Sequence, residues 1–316
     1  MLEVAPKEKN KQKESRFHEV GWAIFLSLAY FGLNYLLIGL RPEHVYTVLA
    51  LNLVYFISPF TKRLILGHFL FIAYLILFDS MKAFPNYWVS PVHIQDLYEW
   101  EKACFGIWQN GVVLTPNEYL NLHTTAFLDV ASGLFYLCWL PLPLVFGIYL
   151  FFYKKREFLH FYFAFFLVNL IGFAVYYTLP AAPPWYVQKF GFHLLMHTPG
   201  SAAGLLRFDD FFGIHLFQSM YTKSSNVFAA MPSLHSAYPL IVLYFGLKNR
   251  LGRINVLFAT IVIGIWFAAI YTYHHYVWDV VAGILVALVG LVTFDFFLRK
   301  LPFVQKWLDN YQEAIR

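Results

Sequence analysis

Charge is scarce in this chain. Of 316 residues only 13% are charged, against 59% hydrophobic, and the mean hydropathy is +0.56. A soluble domain carries about 25% charged residues, so too few are present to clothe a globule of this length in water. That excludes a soluble enzyme, a disordered chain and a nucleic-acid binder. Cysteine is scarcer still: Cys104 sits in a polar segment and Cys138 inside an apolar run, so no disulfide scaffold is possible and the redox compartment stays open. No Asn-x-Ser/Thr sequon, internal repeat or low-complexity tract occurs. What abounds is apolar and aromatic, with 21% Phe, Trp and Tyr. The chain reads as a multi-pass membrane protein.

A transmembrane helix needs about 20 mostly apolar residues. Eight stretches approach this: 20–40, 45–60, 64–80, 126–152, 158–179, 233–248, 254–273 and 278–298, the second and sixth being short. The charged first 19 residues precede a span too long for a cleavable signal, so a polar N-terminal segment (1–19), one membrane domain (20–298) and a tail (299–316) are expected. With the N-terminus inside, only Arg41, Lys82, Lys102, Lys189, Arg207 and Lys223 of the 23 basic residues fall outside. The positive-inside rule therefore favours eight spans with both termini cytoplasmic. Segments 81–125, 180–232 and the 271–278 turn then share the exoplasmic face. The missing sequon and the lack of a long lumenal insertion favour a bacterial inner membrane over a Golgi membrane.

Nine of the twelve histidines lie on that face. Most are ordinary interfacial residues; three stand in patterns. Pro232-Ser233-Leu234-His235-Ser236 opens the sixth span as a helix start, with Ser233 placed to cap it. Free N–H groups at such an end favour a phosphate. The bland alternative is a capping motif whose histidine rests at headgroup depth. At the mouth of the eighth span stands Tyr273-His274-His275-Tyr276-Val277-Trp278-Asp279. Helical spacing pairs His275 with Asp279 and His274 with Trp278. Asp279 would fix the His275 tautomer and leave its other nitrogen free as base or nucleophile. An interfacial ion pair is the alternative, but a carboxylate at the mouth of an apolar span argues for function.

These residues resemble the type-2 phosphatidic acid phosphatase superfamily, whose pattern is a basic first motif, then Pro-Ser-Gly-His, then Ser-Arg-x5-His-x3-Asp. Here leucine replaces the glycine, Ala268-Ala269 replace Ser-Arg, and no Lys-x6-Arg-Pro is present. The chain is more similar to the branch of the inositol phosphorylceramide synthases, the aureobasidin A targets. That branch has Pro-Ser-Leu-His-Ser and His-His-Tyr-x2-Asp, with Ala-Pro-Pro-Trp-Tyr as at 182–186 and Gly-Leu-x-Arg-x-Asp as at 204–209. The likeness is close over 158–298 and weaker around Thr115-Pro116-Asn117-Glu118-Tyr119. It implies an all-α membrane bundle whose six-span core covers about 64–298.

By this resemblance His275 is the nucleophile that becomes a phosphohistidine, Asp279 orients it, and His235 is the general acid and base. No metal or other cofactor is implied. Phosphoryl charge is met by Arg or Lys. Arg207 is the first choice, with Lys189 and Lys223 next and donors from Ser233 and Ser236; a loop ion pair with Asp209 or Asp210 is the competing role for Arg207. The implied reaction moves a phospho-headgroup, phosphoinositol foremost, from a glycerophospholipid to a ceramide-type alcohol. A lipid phosphatase with water as acceptor uses the same histidines, and a non-enzymatic lipid carrier is the reading from another class. The partners expected are these lipids and the membrane, with no nucleic acid.

Other patterns point elsewhere. His193-x3-His197 would share a helix face but finds no third metal ligand. Asp209-Asp210 does not extend into a CDP-alcohol phosphotransferase signature. Asp129 and Asp295 are expected to be structural, and Pro141 and Pro143 to kink the fourth span; Trp88, Trp100, Trp108, Trp185, Tyr186 and Trp278 read as an aromatic interface belt, with segment 81–125 as an amphipathic lid the alternative.

Overall fold

The computed structural model describes residues 6–222 and 226–316, and for 6–16 the backbone alone. In chain order come α1 (Pro6–Leu37), α2 (Pro42–Ile57), α3 (Pro59–Gly67) and α4 (Phe69–Ser80). Two single 3-10 turns follow, then α5 (Gln95–Phe105), a hairpin of β1 (Ile107–Gln109) and β2 (Val112–Leu114), and α6 (Pro116–Asn121). Next are α7 (Ala126–Leu137), α8 (Pro141–Tyr153) and α9 (Lys155–Thr178). Short α10 (Pro184–Phe190), α11 (Leu206–Phe212) and α12 (Leu216–Tyr221) lead to α13 (Leu234–Lys248), α14 (Ile254–Tyr271), α15 (Val277–Val292) and α16 (Pro302–Ala314). Proline opens α2, α3, α6, α8, α10 and α16, where its missing N–H would have had no helical partner.

Phe17–Leu37, Lys155–Thr178, Ile254–Tyr271 and Val277–Lys300 are each long and apolar enough to cross a membrane. Two bent pairs pass the same test when each is taken as one span: α3 with α4 and its following turn, bent by 53° at His68, and α7 with α8, bent by 42° just before Pro141. The second bend is the kink expected from Pro141. The remaining two of the eight stretches, α2 and α13, are helices of only 16 and 15 residues. At 1.5 Å per residue each reaches about 22–24 Å, short of a hydrocarbon core of about 30 Å.

In lipid the packing of helices rests on van der Waals fit and internal hydrogen bonds, because lipid tails are as apolar as the side chains. The centre is accordingly dense. On α9, Phe158, Phe161, Phe165 and Val168 are fully buried, against Phe71 and Tyr74 of α4 and Ile241 and Phe245 of α13. Polar groups there are matched: the Tyr238 hydroxyl donates to Asn169 Oδ1 at 2.6 Å and lies 3.0 Å from the Tyr74 hydroxyl. By contrast α1 turns Trp22, Phe25, Leu26, Leu28 and Leu36 outward, as a lipid-facing helix must.

Segment 81–125 is tied to the bundle by hydrogen bonds. Buried Asn86 donates from Nδ2 to Tyr176 O at 2.9 Å and to Phe228 O at 2.8 Å. The His93 N–H donates to Pro180 O at 2.8 Å. The segment is thereby pinned to the end of α9 and to the chain at Phe228. At the far end of the bundle Asp295 accepts from Lys248 at 2.8 Å and pairs with Arg299 at 3.1 Å, the structural role expected of it.

Candidate active site

Two helix starts meet here because two glycines let them. The Ser233 N–H donates to Asp279 O at 2.8 Å, locking the start of α13 against the first turn of α15. A Cβ on Gly283 would lie 2.1 Å from Ser233 O. On the other side, a Cβ on Gly172 of α9 would lie 2.7 Å from Leu234 Cδ2. The leucine of Pro-Ser-Leu-His thus fills space that a neighbouring helix leaves open. Ser233 occupies the cap position but makes no side-chain cap; its hydroxyl accepts from Ser236 at 3.0 Å, and both serines are fully buried.

This docking brings together three of the residues singled out by sequence. His275 Nε2 lies 3.2 Å from His235 Nδ1, and His275 Nδ1 lies 3.5 Å from Asp279 Oδ2. His275 precedes α15 rather than lying within it, so a turn, not the helical repeat, makes the pairing. Asp279 also accepts the Tyr276 N–H at 2.8 Å, the back-bond of a third helical residue onto its own helix start. Burial pulls the His275 imidazole down to about 4, so it is neutral near pH 7. A neutral ring with one nitrogen toward a carboxylate and the other toward a second histidine is arranged for nucleophilic attack.

His274 does not face Trp278 as helical spacing predicts. Because 272–276 is not helical, its ring turns to Thr272, 3.1 Å from Oγ1, and packs against Tyr221 and Tyr136. Burial, then His275 and His235, hold it well below the ordinary imidazole range. Trp278 instead stacks on Trp100 at 4.0 Å. Ala268 and Ala269, in place of Ser-Arg, are fully buried, and Ala269 O accepts both the His274 and His275 N–H groups. Tyr136 and Trp139, which no sequence pattern marked, complete the wall: the Tyr136 hydroxyl is 3.2 Å from His235 Nδ1 and the Trp139 ring meets the imidazole edge-on.

Two more residues, which no sequence pattern marked as part of the site, hold the His275 turn from above. Fully buried Glu101 accepts the Val277 N–H at 2.9 Å and the Trp278 N–H at 3.3 Å, covering two of the free donors that begin α15. Burial foremost, and the Asp279 charge, push its carboxyl up to about 7 against the pull of those donors. Asn117 donates from Nδ2 to both Ile270 O and His275 O at 2.8 Å. Only the Thr115–Tyr119 likeness hinted at Asn117; a lone acid in a polar loop gave no signal for Glu101.

The expected phosphate ligands lie apart from the histidines. His235, His274 and His275 line a cavity of about 270 Å³, whose one lysine or arginine among the described residues is Lys82, from the turn after α4. Lys82 pairs with Asp79 at 2.5 Å. Arg207 and Lys189 line a second cavity. Arg207 is held by Asp129 at 2.5 Å, not by Asp209 or Asp210, and by Tyr271 O at 3.3 Å. Asp129 is therefore structural, and Asp209 accepts from the N–H groups of Phe217 and Gln218 at the start of α12. Lys223 lies outside the described residues. His193 and His197 fall in irregular chain, so they share no helix face.

Comparison with known proteins agrees with this geometry. The chain is 43% identical over 281 residues to the phosphoinositol dihydroceramide synthase of Bacteroides thetaiotaomicron, covering 88% of this chain and 92% of that protein. It is 29% identical over 252 residues to the inositol phosphorylceramide synthase of Candida albicans, covering 76% of this chain and 50% of the relative. With the catalytic subunit AUR1 of inositol phosphorylceramide synthase from Saccharomyces cerevisiae it shares 35% over 119 residues, 37% of this chain and 29% of the relative. No solved structure matches. Residues 96–293, which hold the paired histidines, Asp279 and the turn's supports, match the PAP2 superfamily, and the chain belongs to that superfamily.

Proposed function

We propose that this membrane protein is a phosphotransferase that moves phosphoinositol from a glycerophospholipid to the primary hydroxyl of a ceramide-type lipid. The observation that carries the reading is the 3.2 Å approach of His235 to His275 with Asp279 behind, in a cavity between membrane helices. The 43% identity to a phosphoinositol dihydroceramide synthase supports the choice of lipids over water as acceptor.

In the first step His275 Nε2 attacks phosphorus, the bond from phosphorus to the glycerol oxygen breaks, and His235 gives that oxygen a proton, releasing diacylglycerol. In the second step the ceramide hydroxyl gives its proton to His235 and attacks phosphorus, and the N–P bond to His275 breaks. Asp279 steadies the imidazolium formed between the steps. Lys82 meets the phosphoryl charge. Its ammonium has three donors, of which Asp79 takes one. Lys189, Arg207 and Lys223 then have no direct part at phosphorus, and Ser233 and Ser236 act through the backbone of the helix start. With all eight stretches taken as crossings, the Lys/Arg distribution supports a site on the exoplasmic side with both termini cytoplasmic, and the likeness to a Bacteroides protein supports a bacterial membrane.

The test is a transfer assay on purified protein with phosphatidylinositol and ceramide, the product identified by mass spectrometry. Wild type should form inositol phosphorylceramide and diacylglycerol. His275→Ala and His235→Ala should abolish both, and Asp279→Asn should lower kcat by about 10²–10⁴-fold by losing the tautomer control. Release of inorganic phosphate from phosphatidic acid with no headgroup transfer would establish the phosphatase instead. Full activity in folded histidine variants would leave the carrier.

A further inference from the structure

The second cavity, of about 360 Å³, shares Trp185 and Ser201 with the catalytic cavity. The two lie on opposite sides of one stretch of chain. Tyr273 turns into the second, whereas His274 and His275 turn into the first. The stretch is held between the Trp185 N–H, which donates to Tyr273 O at 3.1 Å, and the Gly204 N–H, which donates to Thr272 O at 2.9 Å. Gly204 is needed here, since a Cβ would sit 2.8 Å from Thr272 Cα and 2.9 Å from an Arg207 nitrogen.

The cavities differ in chemistry. The catalytic one runs toward Tyr74, Phe78 and Met81 on the bundle's lipid side, with Phe78 exposed there. The second offers Asn121, Gln188, Ser201 and Arg207 beside the rings of Trp185 and Tyr273. Asp129 matches the charge of Arg207, and two more of its N–H groups go to Tyr271 O and, at 3.4 Å, Asn121 Oδ1. With Lys189 exposed beside Gln188 at its rim, the cavity sets hydroxyl-, amide- and N–H-bearing groups between aromatic faces, which suits a ring rich in hydroxyls.

We infer that the second cavity is the headgroup subsite, which seats the cyclic polyol of the donor while its phosphorus lies at the histidines. The inference rests on the phosphoinositol-transfer reading. A phosphodiester joins one apolar and one polyol arm, and the two cavities separate those arms with the reacting atom at their boundary. The same subsite retains the polyol on the phosphohistidine while diacylglycerol leaves and ceramide enters.

Gln188 is exposed on α10 at the edge of this cavity, so it can be changed without disturbing the fold. Gln188→Trp should occupy the space and Gln188→Leu should remove a partner. KM should be measured in vesicles for phosphatidylinositol and for ceramide separately. Donor KM should rise about tenfold or more in Gln188→Trp and several-fold in Gln188→Leu, with ceramide KM and Tm unchanged. Unchanged donor KM in Gln188→Trp, or an equal rise for ceramide, overturns the subsite while wild-type transfer stands. Wild type that moves no phosphoinositol overturns the transferase reading and the subsite with it.

Discussion

Asn117 holds His275 by its backbone: Nδ2 donates to His275 O at 2.8 Å, and its second hydrogen reaches Ile270 O at the same distance. One amide therefore ties the end of α14 to the turn that carries His275. The side chain is fully buried, so nothing replaces it if it is lost.

Asn117→Ala should leave His275 O without its amide partner and Ile270 O with backbone donors alone, at a cost of roughly 1–3 kcal/mol. The turn should loosen, and kcat should fall by tenfold or more with donor KM nearly unchanged. Thermal unfolding and steady-state kinetics on the same sample check both parts. Asn117→Asp, which supplies acceptors where a donor is needed, should be no better than alanine.

Glu101 predicts a pH signature. Its carboxyl rises from an ordinary 4.5 to about 7 in the folded protein, chiefly by burial. Between those values the folded state holds a proton that the unfolded state has released, so stability falls as pH rises from 4.5 to 7 and levels off above. Glu101→Gln lacks this dependence. The Tm of wild type minus that of Glu101→Gln should therefore decline across that window, and a flat difference would exclude the buried carboxyl as its source.

The glycine contacts predict unequal outcomes. At Gly283 an added methyl meets backbone, 2.1 Å from Ser233 O, which cannot move without carrying His235 along. Gly283→Ala should destabilise by about 1–3 kcal/mol and remove most activity. At Gly172 the obstacle is the end of a leucine side chain, 2.7 Å away. Gly172→Ala should be milder, and adding Leu234→Ala should recover part of the loss. A double-variant cycle measures that coupling.

Lys82→Met should lower kcat/KM for the donor by about 10²–10³-fold, the usual effect of losing one donor to the developing phosphoryl charge. Lys82→Arg keeps the charge and should retain most activity. If Lys82→Met keeps wild-type kinetics, the phosphoryl charge is met elsewhere.

Much was legible without coordinates because it is local or compositional. Apolar runs specify helices in lipid, where each backbone polar group must be satisfied within its own segment. Pro141 ends one helix and starts another wherever it stands. His235, His275 and Asp279 were readable because each sits at a helix start with a recognisable pattern. Sequence distance carries no information about which side chains meet across the bundle. The choice among the basic residues was therefore made by packing: Arg207 met Asp129, 78 positions away, and Lys82 came to the histidine cavity instead. The support of the His275 turn by Glu101 and Asn117 spans 158 to 177 positions and leaves no spacing to read. The scarcity of charge determined that this is a membrane protein; only tertiary structure decided where its few charges act, because a buried charge is placed by the partner the fold brings to it.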